Sequence, residues 1–200
     1  MNEDELIIIV DDRDQEIGFA EKIRAHREGL KHRAFSVFII NTYDRKILLQ
    51  KRAIQKYHSG GLWSNSCCSH PRRGENLRLA VLRRINQELG VEISMNGNTE
   101  SSKNEMLSGK MFEAGVFSYS KQFTDLSENE IDHVFYIIIN DQSPEIIINP
   151  EEVEEIRWMT LKELDRMKEE SPELFTVWFF PAFNLVRMHL EKTGMINYLN

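Results

Sequence analysis

The stretch Gly61-Leu62-Trp63-Ser64-Asn65-Ser66-Cys67-Cys68-Ser69-His70-Pro71 sets a thiol two residues before an imidazole, just ahead of a long amphipathic segment. In extended chain, residues i and i+2 point to the same side. Cys68 and His70 are therefore expected to share a pocket wall, with Cys67 facing the other way, into the core. Such a pair suits a nucleophile and its base, half of a metal site, or two unrelated residues. The remaining histidines and carboxylates of the chain decide among these.

Downstream, Glu75 to Leu89 places Leu79, Leu82, Ile85 and Leu89 on one stripe at helical spacing, and Gly90 ends the helix as a C-cap. Arg84 and Glu88 lie four apart on a different face, which in the plain reading is a surface ion pair worth about 0.2–0.5 kcal/mol. Upstream, Leu6 to Val10 reads as a buried strand ended by the turn Asp11-Asp12-Arg13-Asp14. Ala20 to Glu28 reads as a short helix from which Lys22 and His26 project on one face. His32 opens a strand, Arg33 to Ile40, that is apolar on both faces. Asn41 to Arg45 supplies turn residues, and Ile47 to Gln50 returns as a β-hairpin. Lys51, Arg52 and Lys56 follow; bracketing the Cys/His stretch, they look like an anion clamp.

Beyond the helix, Ser94 to Lys110 is polar and turn-rich and reads mostly as loop. Met111 to Tyr119 and Ile131 to Ile139 read as strands joined by a loop ending Glu128-Asn129-Glu130. The period-two spacing of Glu128 and Glu130 aims both carboxylates one way, and they repel unless a cation lies between them. Ile146 to Ile148 reads as an edge strand and Glu155 to Met159 as another. Thr160-Leu161-Lys162-Glu163 has the form of a capping box and opens a helix to about Glu169. Ser171-Pro172-Glu173 is expected to start the last helix, which Pro181 should kink or interrupt. The cluster Trp178-Phe179-Phe180 with Phe183 reads as core packing, with one ring available to line a pocket.

A chain of 200 residues with 41% hydrophobic content suits one globular domain over residues 1–200. A formal net charge of -7 argues against nucleic-acid binding, though not against a small anion held by converging Lys and Arg. Both cysteines are adjacent, so no disulfide framework is expected, and a free thiol suits a reducing cytoplasm. The apolar run Leu6 to Val10 is too short for a secretion signal or a membrane span. No dinucleotide fingerprint is present and no flavin is expected. Gathered together, His26, His32, His70, Glu128 and Glu130 offer a first shell for a divalent cation such as Mg²⁺, Mn²⁺ or Zn²⁺. Lys22, Arg52, Lys56 and Arg84 suit a phosphate or diphosphate.

The motif Trp63 to Pro71, followed by Arg83-Arg84, by Glu88-Leu89-Gly90-Val91-Glu92 and by Glu128-Asn129-Glu130, resembles the type I isopentenyl-diphosphate isomerases. The likeness runs from Lys22 to Trp178. It implies an α+β, Nudix-type fold, an α/β/α sandwich around a mixed β-sheet. An N-terminal strand and helix and a C-terminal aromatic helix would be additions to it. The Nudix box G-x5-E-x7-R-E-U-x-E-E-x-G-U, with U a bulky apolar residue, lies on Ser69, Glu75, Arg83, Ile85, Glu88, Gly90 and Val91. Arg84 and Gln87 stand where the hydrolases carry Glu, which removes the usual means of activating water. Hydrolysis is thus the runner-up expectation, and a non-catalytic binding paralogue the third. Ser69, in the form Cys-Cys-Ser-His-Pro, takes the place of a glycine found in many bacterial members.

Position by position, the resemblance assigns His26, His32, His70, Glu128 and Glu130 to the catalytic cation, and Glu88 to a second Mg²⁺ touching the substrate diphosphate. Lys22, Arg52, Lys56 and Arg84 would grip the diphosphate. Cys68 and Glu130 would exchange protons with the alkene, with Tyr119 as helper and Trp178 as the cation-stabilising ring. The implied activity is interconversion of isopentenyl and dimethylallyl diphosphate. The implied partner is a small-molecule prenyl diphosphate, and the implied setting a cytoplasmic monomer or weak homodimer.

Overall fold

The structure is a computed structural model that describes residues 6–95, 106–142 and 144–199. Strands β1 (Leu6–Val10) and β2 (Glu16–Glu21) form a hairpin that leads into helix α1 (Lys22–Glu28). Strands β3 (His32–Asn41) and β4 (Lys46–Arg52) form the next hairpin. The short strands β5 (Trp63–Ser64) and β6 (Cys67–Ser69) follow, then α2 (Leu77–Leu89) and β7 (Glu92–Ser94). A long hairpin, β8 (Met106–Gln122) and β9 (Ser127–Ile139), precedes β10 (Val153–Met159) and α3 (Leu161–Glu170). A 3-10 turn at Pro172–Leu174, helix α4 (Phe179–Lys192) and a second 3-10 turn at Met195–Tyr198 complete the described chain.

The main sheet runs β10-β4-β3-β9-β8-β7. Its β3–β9 and β7–β8 pairs are parallel, whereas β10–β4, β3–β4 and β8–β9 are antiparallel, so the sheet is mixed. β3 and the C-terminal half of β9, Val134 to Ile139, are apolar on both faces because helices cover both sides. Phe35, Val37 and Ile39 with Phe135 and Ile137 pack against Val81, Ile85 and Leu89 of α2. The alternate residues, Phe38, Ile40, Val134 and Tyr136, pack against Phe179, Phe183 and Val186 of α4, beside Leu161 and Leu164 of α3. This is the expected α/β/α sandwich.

One edge of β3 is shared among three partners. Its C-terminal end pairs with β4, its middle with β6, where Ser36 faces Cys68, and its first residue, His32, with Ile9 of β1. On its other edge, His32 is in register with Glu130 of β9, and Glu130 with Tyr119 of β8. Three of the segments that carry candidate site residues thus meet at the N-terminal end of β3.

Several local expectations need correction. Residues 16–21 form a strand, so α1 begins at Lys22, capped by Glu21, whose carboxylate accepts from the Ile23 and Arg24 amides (2.9 and 2.8 Å). The buried face of α2 is Ala80, Val81, Ile85, Glu88 and Leu89, while Leu79 is 61% exposed. Leu79 precedes Val81 by about 200° of helical rotation, which turns it away from the sheet. β8 begins at Met106, inside the segment read as loop, and residues 96–105 of that segment lie outside the described residues. Glu128 and Glu130 stand in β9 itself rather than in a loop. Residues 146–148 form no strand; the Ile147 amide instead donates to Leu89 O (3.0 Å).

The capping box at Thr160 is present and opens α3. Ser171-Pro172 opens only a single 3-10 turn, because the chain is then drawn to β5, where the Thr176 amide donates to Trp63 O (2.9 Å). α4 starts at Phe179. Pro181 falls in its first turn, where amides have no partner within the helix, so it costs no bond and interrupts nothing.

Candidate active site

The motif Trp63 to His70 is first of all a clasp. Ser66 Oγ accepts the Ile39 amide (2.7 Å) and donates to Leu48 O, tying β3 to β4. Asn65 Nδ2 donates to Val37 O (3.4 Å) and to Cys67 O. Trp178 Nε1 donates to Ser64 Oγ (3.1 Å), which pins the start of α4 to β5. With these polar side chains committed to holding strands, the alternation of β6 places Cys67 in the core and Cys68 on the wall of a cavity. His70 lines the same cavity, with Lys22, Arg52, Lys56, Arg84, Tyr119, Glu128, Glu130 and Trp178.

On one side of this cavity the imidazoles gather. His26 and His32 each face a backbone carbonyl through Nδ1, Lys22 O and Leu30 O respectively (both 2.7 Å). A carbonyl only accepts, so Nδ1 carries the hydrogen and, in the neutral ring, Nε2 carries a bare lone pair. Both Nε2 atoms are buried without a hydrogen-bond partner. They lie 3.6 Å from Glu128 Oε2 and 3.3 Å from Glu130 Oε1. His70 Nε2 meets Glu130 Oε1 at 2.9 Å, and Tyr119 Oη donates to Glu130 Oε2 at 2.7 Å. β9 fixes this end of the nest through its outward residues: Ser127 Oγ donates to His26 O (3.1 Å) and Asn129 Nδ2 to Gly29 O (2.9 Å).

Ligand atoms of His26, His32, His70 and Glu130 lie within 4.8 Å of one another, as do those of His26, His58 and Glu128. Lone pairs and carboxylate oxygens so close repel unless a proton or a cation lies among them. Imidazole nitrogen with carboxylate oxygen is the donor set of a borderline divalent ion. These residues fit a divalent cation.

On the other side the cations gather around a carboxylate that the sequence did not single out. Glu152 pairs with Lys56 through Oε2 and with Arg84 Nη2 through Oε1 (3.2 Å). Arg84 and Lys56 hold the Glu152 carboxyl at about 2 against the upward push of burial. Lys22 is brought down to about 8, by burial first and then by Lys56 and Arg84. Arg52 sets its guanidinium 5.4 Å over the Trp178 ring and Nη1 3.8 Å from Cys68 Sγ. Glu88 is 3% exposed, so its pairing with Arg84 is a buried one rather than a surface one. Its other oxygen accepts from Gln50 Nε2 (3.1 Å), and it is not among the residues whose ligand atoms converge in the nest.

Between the two sides, burial pushes the Cys68 thiol up to about 11, so it is protonated at neutral pH. Burial likewise raises the Tyr119 phenol. Burial alone would raise Glu130, but His32 and His70 hold its carboxyl well below the usual range. The cavity therefore pairs an un-ionised thiol with an ionised carboxylate that carries a phenol on one oxygen.

Sequence reasoning missed Tyr57, His58, Asp132 and Glu152, all of which line this cavity or its mouth. Asp132 is fully buried in the strand register and accepts from Ser36 Oγ (2.7 Å). The signal for it was present, since 128, 130 and 132 continue one period-two series. No comparable spacing announces the other three. The Glu75–Arg83 pair of the box, by contrast, is a two-bond clasp (2.6 and 2.7 Å) that anchors the loop before α2 to the helix.

A NUDIX domain model matches residues 30–179. Among solved structures, DR0079 from Deinococcus radiodurans aligns with a TM-score of 0.59 at 18% identity, over 83% of this chain and 90% of its own. MutT protein from Methanosarcina mazei Go1 aligns at 0.55 and 13% identity, over 82% and 95%. At these identities the likeness shows the fold. Much nearer in sequence is an isopentenyl-diphosphate Delta-isomerase of Aliivibrio fischeri, 37% identical over 95% of this chain and 99% of the relative. That of Serratia proteamaculans is 41% identical over 88% of each. No helix among the described residues is long and apolar enough to cross a membrane. By its fold, its matched domain and the extent of these identities, the chain belongs to the isopentenyl-diphosphate Delta-isomerase family of Nudix-fold enzymes.

Proposed function

We propose that this chain, acting as one domain, interconverts isopentenyl and dimethylallyl diphosphate. The observation that carries the reading is the single cavity in which Cys68 and the Tyr119–Glu130 pair stand between a cationic wall and a histidine–carboxylate nest. Lys22, Arg52, Lys56 and Arg84 hold the diphosphate, with Glu88 on the same side as a carboxylate for Mg²⁺. Bound in the nest by His26, His32, His70, Glu128 and Glu130, a divalent cation supplies positive charge that offsets the two carboxylates. Nitrogen-rich donors favour Zn²⁺ or Mn²⁺ there over Mg²⁺.

The hard step is adding a proton to carbon. A proton delivered to the terminal methylene forms a C–H bond from the alkene electrons and leaves positive charge on the tertiary carbon. Loss of a proton from the methylene beside the diphosphate-bearing carbon returns those electrons as the new double bond. Cys68 and the Tyr119–Glu130 pair divide these two transfers. Trp178 turns its ring to the cavity, and a desolvated cation–π contact is worth roughly 2 kcal/mol. Its hydrogen bond to Ser64 fixes the ring, and the packed aromatics behind it exclude the water that would trap the cation as an alcohol. Arg84 and Gln87, in place of acidic residues of the box, argue against hydrolysis. The adjacent free thiols suit a reducing cytoplasm.

The test is incubation with isopentenyl diphosphate and Mg²⁺, alone and with Zn²⁺ or Mn²⁺. Acid-labile allylic product without phosphate release is expected, and release of phosphate instead would overturn the reading. Cys68→Ala should abolish turnover with cation content unchanged, whereas Cys67→Ala should keep activity and lose on the order of 1 kcal/mol of stability. Equal loss of activity in both would mean that Cys68 is the wrong thiol or a merely structural one.

A further inference from the structure

His58 lies outside every motif discussed above, on the loop between β4 and β5. That loop is built to turn its residues inward. Ser59 and Gly61 adopt φ of 51° and 76°, and a Cβ on Gly60 would sit 2.3 Å from Ile54 O. The tight turn leaves His58 only 8% exposed, with its carbonyl accepting from Arg52 Nη2 (3.4 Å). Rings wall it in: Phe123 stacks on it at 5.0 Å, and Tyr57 and Trp178 meet it edge-on at 4.5 and 5.8 Å.

Its Nδ1 faces Ser59 Oγ (3.2 Å), and its Nε2 lies against Glu128 Oε1. The other oxygen of Glu128 faces His26 Nε2 at 3.6 Å. One carboxylate is thus held between two imidazole nitrogens. His26 Nε2, His58 Nε2 and Glu128 Oε2 are all buried without a hydrogen-bond partner, and the ligand atoms of these three residues converge within 4.8 Å. His26 also belongs to the group with His32, His70 and Glu130. Its Nδ1 is committed to Lys22 O, so it has a single lone pair to give. It cannot serve two independent ions, so an ion that draws on both groups shares His26 between them.

We propose that His58 is a further ligand of the divalent cation, making the nest one of four imidazoles and two carboxylates. This rests on the cation reading given under Proposed function and goes beyond it in the donor set. A fourth nitrogen moves the preference of the nest further from Mg²⁺ and toward Co²⁺ and Zn²⁺. The rival role is that of a positioning residue, which would donate a hydrogen bond to Glu128 and never touch the ion.

Co²⁺ is the probe. The full chain is titrated with Co²⁺ against a competing chelator, and the imidazoles on the bound ion are counted by X-ray absorption. The same is done for His58→Ala and for His58→Gln, whose amide keeps a donor to Glu128. Four imidazoles in the parent, three in both variants, and affinity at least about tenfold weaker in both are expected. Three imidazoles in the parent, or affinity restored in His58→Gln with the count unchanged from the parent, would overturn the proposal and leave the cation reading standing. Failure of the parent to bind Co²⁺, Zn²⁺ or Mn²⁺ at all would overturn both. His58→Gln keeps the comparison decisive if the alanine variant does not fold.

Discussion

Lys22 carries its charge at a cost set by its neighbours. Burial strips its water, and Lys56 and Arg84 repel it, so it gives up its proton near pH 8 instead of near its ordinary value of 10.5. The protonated form is the one that attracts an anion, and a bound diphosphate stabilises that form. Affinity for inorganic pyrophosphate measured by calorimetry should therefore fall, relative to Lys22→Met, as pH rises through roughly 7 to 9.5. Parallel curves for the two proteins would show that Lys22 does not touch the anion. At this scale the sequence was most legible where spacing alone decides direction. The two-residue steps from Cys68 to His70 and from Glu128 to Glu130 are facts of strand geometry and need no knowledge of the fold. His58 was visible only as a residue type, because its direction depends on Gly60 lying against Ile54 O. Glu152 reads as one more acid in an acidic run until Lys56 and Arg84 arrive from elsewhere in the chain.

Among elements, the clasp that seats β6 beside β3 is the part whose loss should be felt first. Ser66→Ala leaves the buried Ile39 amide and Leu48 carbonyl without a partner. That should cost about 2–4 kcal/mol, read as a lower urea midpoint with an unchanged slope. A midpoint within error of the parent would mean that the strands hold their places without it. Elements with a complete local signal were legible from sequence: the capping box of α3, and the end of α2 at Gly90, whose φ of 64° a β-carbon would strain. Elements decided by distant partners were not. Ser171-Pro172 has the chemistry of a helix start, yet hydrogen bonding to Trp63 O redirects the chain, and α4 begins several residues later. β8 starts inside a polar stretch because β7 pairs with Met106 to Ser108 and β9 takes over from Gly109, which outweighs its weak local preference.

For the whole molecule, the fold class was legible and the pairing that assembles the site was not. Runs apolar on both faces, between amphipathic helices, point to a covered sheet. Nothing in the sequence states that His32 and Glu130, nearly a hundred positions apart, become direct neighbours in parallel register. The nest that results concentrates imidazole lone pairs and two carboxylates in the interior, so a cation that neutralises them should stabilise the entire fold. Zn²⁺ or Mn²⁺ at about a hundred times its dissociation constant should add roughly 2.7 kcal/mol and raise Tm by about 5–10 °C, and a chelator should reverse it. A Tm indifferent to both ions and to chelator would remove the cation from the account.

The parallel registration of β3 with β9 also acts as a ruler. Strand residues advance about 3.3 Å each, and a two-residue slip preserves which side every side chain faces. Inserting two residues ahead of Glu130 would therefore leave inward and outward alternation intact while carrying its carboxylate about 7 Å along the strand from His32. Such a protein would keep its hydrophobic layers and lose the proposed activity, because the candidate site is measured out by ladder rungs rather than by any single side chain.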